Sequence, residues 1–153
     1  MDTEKKQQET EEIVHFRHCV PIQIRFNDVD RYGHVNNNSY FSYYDLGKED
    51  YLHNVLKVDY ESREVVPVIA NIQADFIFPI FYGDPIFVET RISRVGNKSF
   101  TLEQQAINTK LGKIVCRCST VMVCFSLDNQ VAVPIPDKYR QAICEFEGYE
   151  MKS

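Results

Sequence analysis

Hydrophobic and polar positions follow three successive patterns along this chain. From Val20 to Phe26 apolar residues stand at every second position, which predicts a half-buried strand. From Tyr40 to Leu56 they recur at intervals of three and four, which predicts an amphipathic helix from about Asn38 to Asn54. Gly47 lies in the middle of this helix and costs about 1 kcal/mol relative to alanine, so we expect a sheet to pack closely against it. From about residue 65 the alternation returns.

The second alternating region predicts four long strands joined by tight turns that contain glycine. The predicted strands are Ala70–Phe78, Ile86–Ile92, Phe100–Ala106 and Ile114–Leu127. A short helix is predicted after Pro136. One long helix followed by antiparallel strands indicates an α+β architecture in which a curved sheet wraps the helix. Such a sheet leaves edge strands and apolar surface uncovered, which predicts a homodimer or a homotetramer.

The composition indicates one domain preceded by a polar tail. Residues 1–12 are almost all polar and can bury little apolar area, so we predict a disordered tail there. Residues 13–153 are expected to form a single domain, because 153 residues with 44% hydrophobic content are enough for one core. No repeat or low-complexity linker interrupts this region.

Charge and cysteine content narrow the classes of function. The net charge is −5 without a basic cluster, so we do not expect nucleic acid as a partner. Apolar runs fall far short of the ~20 residues that cross a bilayer, and no apolar signal region is present, so we expect a cytoplasmic location and no membrane partner. The five cysteines lack the paired spacing of zinc ligands, which predicts buried reduced thiols and no metal site.

The polar stretch between the first strand and the helix is the strongest candidate for a functional site. Asp28, Asp30, Gly33, His34 and the asparagines Asn36–Asn38 lie within eleven residues. Asparagine side chains accept hydrogen bonds from the free amides at a helix start, so one of the three is a candidate N-cap. Carboxylates beside such a helix start suggest an active-site loop.

The motif in this stretch is specific enough to indicate a family. The order of a strand, D-x-D-x-x-G-H-V-N-N, an aromatic helix and four strands resembles the hot-dog-fold acyl-CoA thioesterases of the 4-hydroxybenzoyl-CoA thioesterase type. The likeness spans roughly Val20 to Phe146, and its most specific part is Asp30–Asn37 followed by Tyr40. The segment Asn97–Phe100 resembles the turn that lies near the coenzyme A phosphates in that family.

This resemblance implies a hot-dog fold and a thioester hydrolase that releases a carboxylic acid and free coenzyme A. The second carboxylate of the motif is catalytic in that family, and it corresponds to Asp30, acting either as nucleophile or as general base. The backbone amide of Asn37 is the candidate donor to the oxyanion, together with the helix dipole. His34 is predicted to support the site.

The resemblance also implies which residues bind the substrate. These are Asn38, Tyr40 and Lys98, the last as the candidate contact to a coenzyme A phosphate. Coenzyme A is part of the substrate, so no bound cofactor is expected. Asn37 departs from relatives that have tyrosine or histidine at this position, so their acyl preference cannot be assigned to this chain.

Other interpretations remain open for single residues and for the whole chain. Asp30 could be a turn-forming carboxylate, and Asp28 is expected to be supporting, either in an Asx turn or in an ion pair with Arg25 or Arg31. The chain could be a non-catalytic acyl-thioester binding module, or a hydrolase acting on acyl carrier protein thioesters. A hot-dog dehydratase is disfavoured, because there a histidine takes the leading catalytic role, whereas here Asp30 leads the motif.

Overall fold

A six-stranded sheet and two helices account for most of residues 15–59, 61 and 65–148, which the computed structural model describes. The strands are β1 (His18–Ile22), β2 (Val66–Phe76), β3 (Ile86–Val95), β4 (Ser99–Asn108), β5 (Lys113–Ser126) and β6 (Val131–Ala132). The helices are α1 (Asn37–Tyr51), which continues into a π-helical turn at Leu52–Leu56, and α2 (Asp137–Glu147). The tail predicted for residues 1–12 lies outside the described residues.

The sheet is antiparallel throughout and curved. Its strand order is β1-β3-β4-β5-β2, and β6 pairs with the end of β5. The register shifts between Ile69 and Asn71, between Ile92 and Arg94, and between Ala106 and Ile107. Irregularities of this kind bend a strand and increase its twist, which curves the sheet around α1. The predicted architecture, one long helix against a curved antiparallel sheet, is confirmed.

The core lies between α1 and the inner face of the sheet. Every second residue of β3 and β4 is buried on this face, including Val88, Ile92 and Leu102 at 0% exposure. The core has two parts, one around Tyr40 in the first turn of α1 and one around Tyr51 at its end. Full burial of side chains of this size contributes roughly 1.5–3 kcal/mol each, which fixes the inward face of each strand.

Gly47 lies where α1 comes closest to the sheet. A methyl group at this position would lie 2.8 Å from Val88 Cγ1 and 3.1 Å from both Gln104 Nε2 and Thr90 Oγ1. Gln104 Nε2 also donates a hydrogen bond of 2.9 Å to the Tyr44 carbonyl of the helix. The expected reason for a glycine in mid-helix, close approach of the sheet, is therefore confirmed.

The first strand begins and ends earlier than its prediction. Alternation predicted a strand over Val20–Phe26, whereas β1 ends at Ile22. Its partner strand β3 begins at Ile86, directly opposite Ile22, so no strand of the described ranges lies opposite the residues that follow. They turn instead into a single 3₁₀ turn at Phe26–Asp28.

Both helices lie close to their predicted positions. α1 begins at Asn37, one residue before the predicted start, and its π-helical turn ends at Leu56, two residues past the predicted end. α2 begins directly after Pro136, as predicted. In the described part of the chain, no helix combines the length and the apolar character needed to span a bilayer.

Strand β2 forms an exposed edge of the sheet. Among the residues that the structure describes it pairs only with β5, and most of its residues are exposed, among them Ile69 and Ile72. These two residues stand opposite Met122 and Thr120 of β5, which are buried. The apolar inner face of the sheet therefore continues beyond the area that α1 covers.

Candidate active site

The loop before α1 is anchored by a buried carboxylate. Asp28 is 4% exposed, and its Oδ2 accepts hydrogen bonds from the Arg25 amide at 2.9 Å and from the Tyr43 hydroxyl at 2.8 Å. Its backbone carbonyl accepts a bond of 2.8 Å from the Asn36 amide. Asp28 therefore joins the start of the loop, the end of the loop and the second turn of α1.

Hydrogen bonding keeps this carboxylate ionised. Burial alone would raise the pKa of Asp28, but the hydrogen bonds from Arg25 and Tyr43 and the charge of Arg25 outweigh it, and the pKa lies below its ordinary value of 3.8. The Arg25 guanidinium lies 3.4 Å from Oδ1. Burial and the bond to Asp28 raise the pKa of Tyr43. The ion pair with Arg25, one of the structural roles considered for Asp28, is present.

Asp30 holds its own turn with one carboxylate oxygen. Oδ1 accepts hydrogen bonds from the Tyr32 amide at 2.8 Å and from the His34 amide at 3.2 Å. The Gly33 amide donates to the Asp30 carbonyl at 3.0 Å, and Gly33 has a φ of +80°, which favours glycine. Oδ2 makes no hydrogen bond to the residues that the structure describes. The turn-forming role of Asp30 is therefore present, and its second oxygen remains available.

The start of α1 beside this turn has no side-chain cap. Asn36 occupies the N-cap position, as expected for one of the asparagines, but its side chain makes no capping hydrogen bond. Its carbonyl accepts a bond of 2.9 Å from the Ser39 amide. The amides of Asn37 and Asn38 have no acceptor inside the helix, because the first turn lacks a preceding one. The helix start therefore offers N–H groups and the positive end of its dipole.

A cleft of about 500 Å³ brings these groups together. It is lined by Asp30, His34, Val35, Asn36, Asn37, Asn38, Tyr40, Phe76, Ile77, Phe78 and Pro79. The apolar part, which runs from the last residue of β2, Phe76, to Pro79, was not predicted as part of the site. Its signal in the sequence was the run of four apolar residues, which breaks the alternation of a half-buried strand.

Two aromatic contacts connect the polar and apolar sides of the cleft. Tyr40 is 3% exposed and packs edge-on against Phe76, with ring centroids 5.1 Å apart. The ring of His34 packs edge-on against Phe81 at 4.7 Å, and a strand-like bridge joins the backbones of these two residues. His34 and Tyr40 therefore line the cleft, and His34 also ties the Asp30 turn to the segment after Pro79.

Lys98 does not line this cleft. It lies in the turn between β3 and β4, and the flanking residues Val95 and Phe100 pack in the core around the end of α1. The cleft lies at the other end of α1, near Ile86, and the ten residues of β3 span about 30 Å between the two ends. Within one chain, Lys98 and Asp30 are therefore at opposite ends of the sheet.

The cysteines and the remaining titratable residues form no metal site in the described ranges. No group of three or more histidine, cysteine or acidic residues there could hold a metal ion. All five cysteines are free, and Cys116, Cys118 and Cys124 are buried. Burial raises the pKa of Cys116 and Cys124 to about 11, so both are neutral thiols at neutral pH. Burial was expected of all five, but Cys144 is only half-buried, and Cys19 is exposed because it faces outward on an edge strand.

Comparison with known families agrees with this geometry. Residues 24–143 match the family model described as the thioesterase-like superfamily. The chain belongs to this superfamily. The membership confirms the predicted hot-dog fold and the predicted class of function, an acyl-CoA thioester hydrolase. The narrower likeness to the 4-hydroxybenzoyl-CoA type stays a prediction.

Individual thioesterases show the same similarity. The long-chain acyl-CoA thioesterase FadM of Escherichia coli is 24% identical over 80% of this chain and 93% of that protein. A 1,4-dihydroxy-2-naphthoyl-CoA hydrolase of Trichodesmium erythraeum is 26% identical over 61% of this chain and 69% of that protein. A thioesterase of Thermus thermophilus, solved with coenzyme A and zinc, is 29% identical with a TM-score of 0.78, covering 89% and 98% of the two chains.

In this thioesterase-like protein, Asp28→Asn should lower the free energy of unfolding by about 1–3 kcal/mol at pH 7, because the amide is a weaker acceptor for Arg25 and Tyr43. The folded pKa of Asp28 is lowered, so its contribution is complete above 3.8 and disappears as the pH falls through the folded value. Urea unfolding at a series of pH values measures this. The exposed change Asp128→Asn is the control, and a deficit of Asp28→Asn that stays constant with pH would contradict the assignment.

Proposed function

We propose that the cleft hydrolyses an acyl-CoA thioester, with Asp30 as the reacting carboxylate and the start of α1 as the oxyanion site. One observation supports this most: Asp30, whose Oδ2 makes no hydrogen bond to the described residues, lines the same cleft as the uncapped helix start. Both groups are held in place before a substrate arrives, which is what effective stabilisation of a developing charge requires. The products are a carboxylic acid and free coenzyme A, and coenzyme A acts as a leaving group and not as a bound cofactor.

Two routes are compatible with this arrangement. In the first, Oδ2 attacks the thioester carbon, the C–S bond breaks, and water hydrolyses the resulting mixed anhydride. In the second, Asp30 takes a proton from a water molecule that attacks the same carbon. In both routes negative charge develops on the carbonyl oxygen, where the amides of Asn37 and Asn38 can donate. The sulfur leaves as a thiolate and takes up a proton.

The acyl group is proposed to lie against the apolar part of the cleft. Phe76, Phe78 and Tyr40 offer aromatic surface there, and Phe76 and Phe78 are 45% and 38% exposed. Surface of this kind can bind either an aliphatic chain or a ring. FadM and the hydrolase of Trichodesmium erythraeum act, by their names, on long-chain and on naphthoyl thioesters. A panel of aliphatic and aromatic acyl-CoAs is therefore the appropriate assay.

Asp30→Asn should abolish most thiol release from such a panel, with a loss in kcat of about 10²–10⁴, because the amide can neither attack nor accept the proton. A thiol-reactive dye measures the coenzyme A released. Asp128→Asn, at an exposed residue in the turn after β5 and outside this cleft, is the matched control and should retain wild-type activity.

An Asp30→Asn variant as active as the wild type would exclude this role for Asp30. If the wild type released no thiol from any acyl-CoA but was stabilised by one against heat, the binding-module interpretation would replace hydrolysis. Turnover of acyl carrier protein thioesters alone would assign the same chemistry to a different carrier.

The oxyanion role of the Asn37 amide can be tested without changing the fold. Asn37 is the first residue of α1, where proline is tolerated because its missing N–H has no acceptor in the helix. Asn36 already has the φ of −61° and ψ of 142° that precede proline. Asn37→Pro should lower kcat by about 10²–10³ while Asn37→Ala, which keeps the amide, stays close to wild type. Equal activity of the two variants would exclude the amide.

We also infer a homodimer built on strand β2. No described strand pairs with its outer edge, and Ile69 and Ile72 expose apolar surface on the face that α1 leaves uncovered. A second copy that pairs its own β2 antiparallel would extend the sheet and cover these residues, in an interface with two-fold symmetry. Antiparallel pairing brings opposite ends of the two sheets together. We therefore propose that coenzyme A bound in one cleft meets Lys98 of the second chain.

The double variant Ile69→Lys/Ile72→Lys should convert the protein from a dimer to a monomer, because two charges on the edge would be buried without partners. Light scattering after gel filtration measures the mass, which should fall from two chains of 17.9 kDa to one. Leu111→Lys, at an apolar residue of similar exposure in a hairpin turn, is the control. A wild-type monomer would overturn the inference, and a tetramer would require a second interface.

We propose a cytoplasmic location, with neither nucleic acid nor membrane as a partner. Free thiols on all five cysteines suit a reducing compartment, because disulfides form mainly in oxidising ones. The net charge of −5 opposes binding to nucleic acid or to anionic lipid.

A further inference from the structure

The turn between β3 and β4 is held by donors from outside its hairpin. Arg140 of α2 places one guanidinium nitrogen 2.6 Å from the Gly96 carbonyl and 3.0 Å from the Asn97 carbonyl. The Ile135 amide donates to the Asn97 carbonyl at 2.9 Å, and the Cys124 amide donates to the Lys98 carbonyl at 2.8 Å. Three consecutive carbonyls of one turn are therefore bound from three separate parts of the chain.

The hairpin itself does not need these contacts. The bond of 2.7 Å from the Gly96 amide to the Ser99 carbonyl already closes the turn. The additional donors are therefore not needed to close the turn. They fix the orientation of its peptide groups.

This orientation directs the backbone amides outward. In a trans peptide the N–H points opposite to the carbonyl of the preceding residue. The carbonyls of Gly96 and Asn97 point to Arg140, so the amides of Asn97 and Lys98 point away from the protein body. Both residues are exposed, and neither amide has a hydrogen-bond acceptor among residues 15–59, 61 and 65–148. Adjacent outward amides of this kind bind anions.

The same turn concentrates positive charge in an acidic protein. Lys98 extends from the turn, Arg94 is exposed on the adjoining end of β3, and Arg140 lies directly behind the turn. The chain as a whole carries a net charge of −5. The sequence analysis indicated only Lys98 here, because Arg140 is more than forty residues away along the chain.

We infer that Arg140 is a positioning residue that shapes the β3–β4 turn to bind the phosphates of coenzyme A. This inference rests on the proposed function, which supplies the ligand. Arg140 acts through the turn: its guanidinium holds two carbonyls inward, and the phosphate meets the opposite side, where the amides of Asn97 and Lys98 and the Lys98 ammonium group donate. The turn would therefore recognise the nucleotide end of the substrate, and the cleft its thioester.

The test compares two substrates with the same acyl group, one carried on coenzyme A and one on pantetheine, which lacks the nucleotide and its phosphates. Arg140→Met should raise KM for the coenzyme A ester roughly tenfold, the effect of losing one or two charge-assisted hydrogen bonds, with kcat unchanged. KM for the pantetheine ester should stay at the wild-type value. Arg140→Lys keeps the charge, but its ammonium group ends a shorter side chain and cannot occupy the position of the guanidinium nitrogen that contacts both carbonyls, so it should restore only part of the affinity.

Two further variants separate positioning from a general loss of charge. Lys138→Met removes a cation from the same helix without touching the turn and should change neither KM. Lys98→Met should raise KM for the coenzyme A ester alone. The double variant Lys98→Met/Arg140→Met should show less than the sum of the two single effects, because both act on one phosphate site.

Binding of adenosine 3′,5′-bisphosphate, measured by calorimetry, tests the inference independently of turnover. Its affinity should fall roughly tenfold in Arg140→Met and stay unchanged in Lys138→Met. Unchanged binding in Arg140→Met, or an equal rise in KM for both esters, would overturn the inference while leaving the hydrolase intact. If the wild type hydrolysed neither ester, the proposed function would fail. The calorimetric binding of adenosine 3′,5′-bisphosphate would then be the test of the positioning role of Arg140. Circular dichroism checks the fold, and Arg140→Lys replaces any unfolded Arg140→Met protein.

Discussion

The buried carboxylate of Asp28 is the constraint on which the candidate site depends. The Asp30 side chain cannot fix this loop by packing, because it is exposed to solvent. The buried Asp28 fixes the loop instead, because its carboxylate accepts hydrogen bonds from the Arg25 amide before the loop and from the Tyr43 hydroxyl in α1. Its backbone carbonyl adds the bond to Asn36 at the helix start. The same buried residue therefore holds both the turn of Asp30 and the first amides of α1 in position.

The close contact of α1 with the sheet fixes the position of the helix itself. Gly47 removes the side chain where Val88, Thr90 and Gln104 approach, and Gln104 donates to the helix carbonyl of Tyr44. The helix can therefore neither slide nor lift without breaking a buried polar bond. The N-terminus of α1 therefore stays at the cleft, and the packed core keeps the proposed oxyanion site rigid.

The sequence predicted the elements that depend on local periodicity. β3, β4 and β5 alternate because both neighbours in the sheet are present and one face is covered by α1. The end of β1 was missed, since it depends on where the partner strand β3 begins at Ile86. No local pattern contains that information.

Residues that act across the fold were predictable only in part. The loop from Asp28 to Asn38 carries its own motif, so the polar side of the cleft could be predicted. The apolar side after β2 and the contacts of Arg140 depend on long-range packing. The family resemblance predicted that Lys98 contacts the substrate, yet Lys98 lies at the opposite end of the sheet from Asp30. In the proposed dimer, the second chain brings these two ends together.

The central claim is that the thioester carbonyl lies between Asp30 and the start of α1. The most direct measurement is a crystal structure with an acyl-CoA analogue in which a methylene group replaces the thioester sulfur. We expect its carbonyl oxygen at about 2.7–3.1 Å from the Asn37 amide and its carbonyl carbon at about 3–3.5 Å from Asp30 Oδ2. A carbonyl group bound away from the helix start, or an Asp30 carboxylate that faces away from it, would contradict the account.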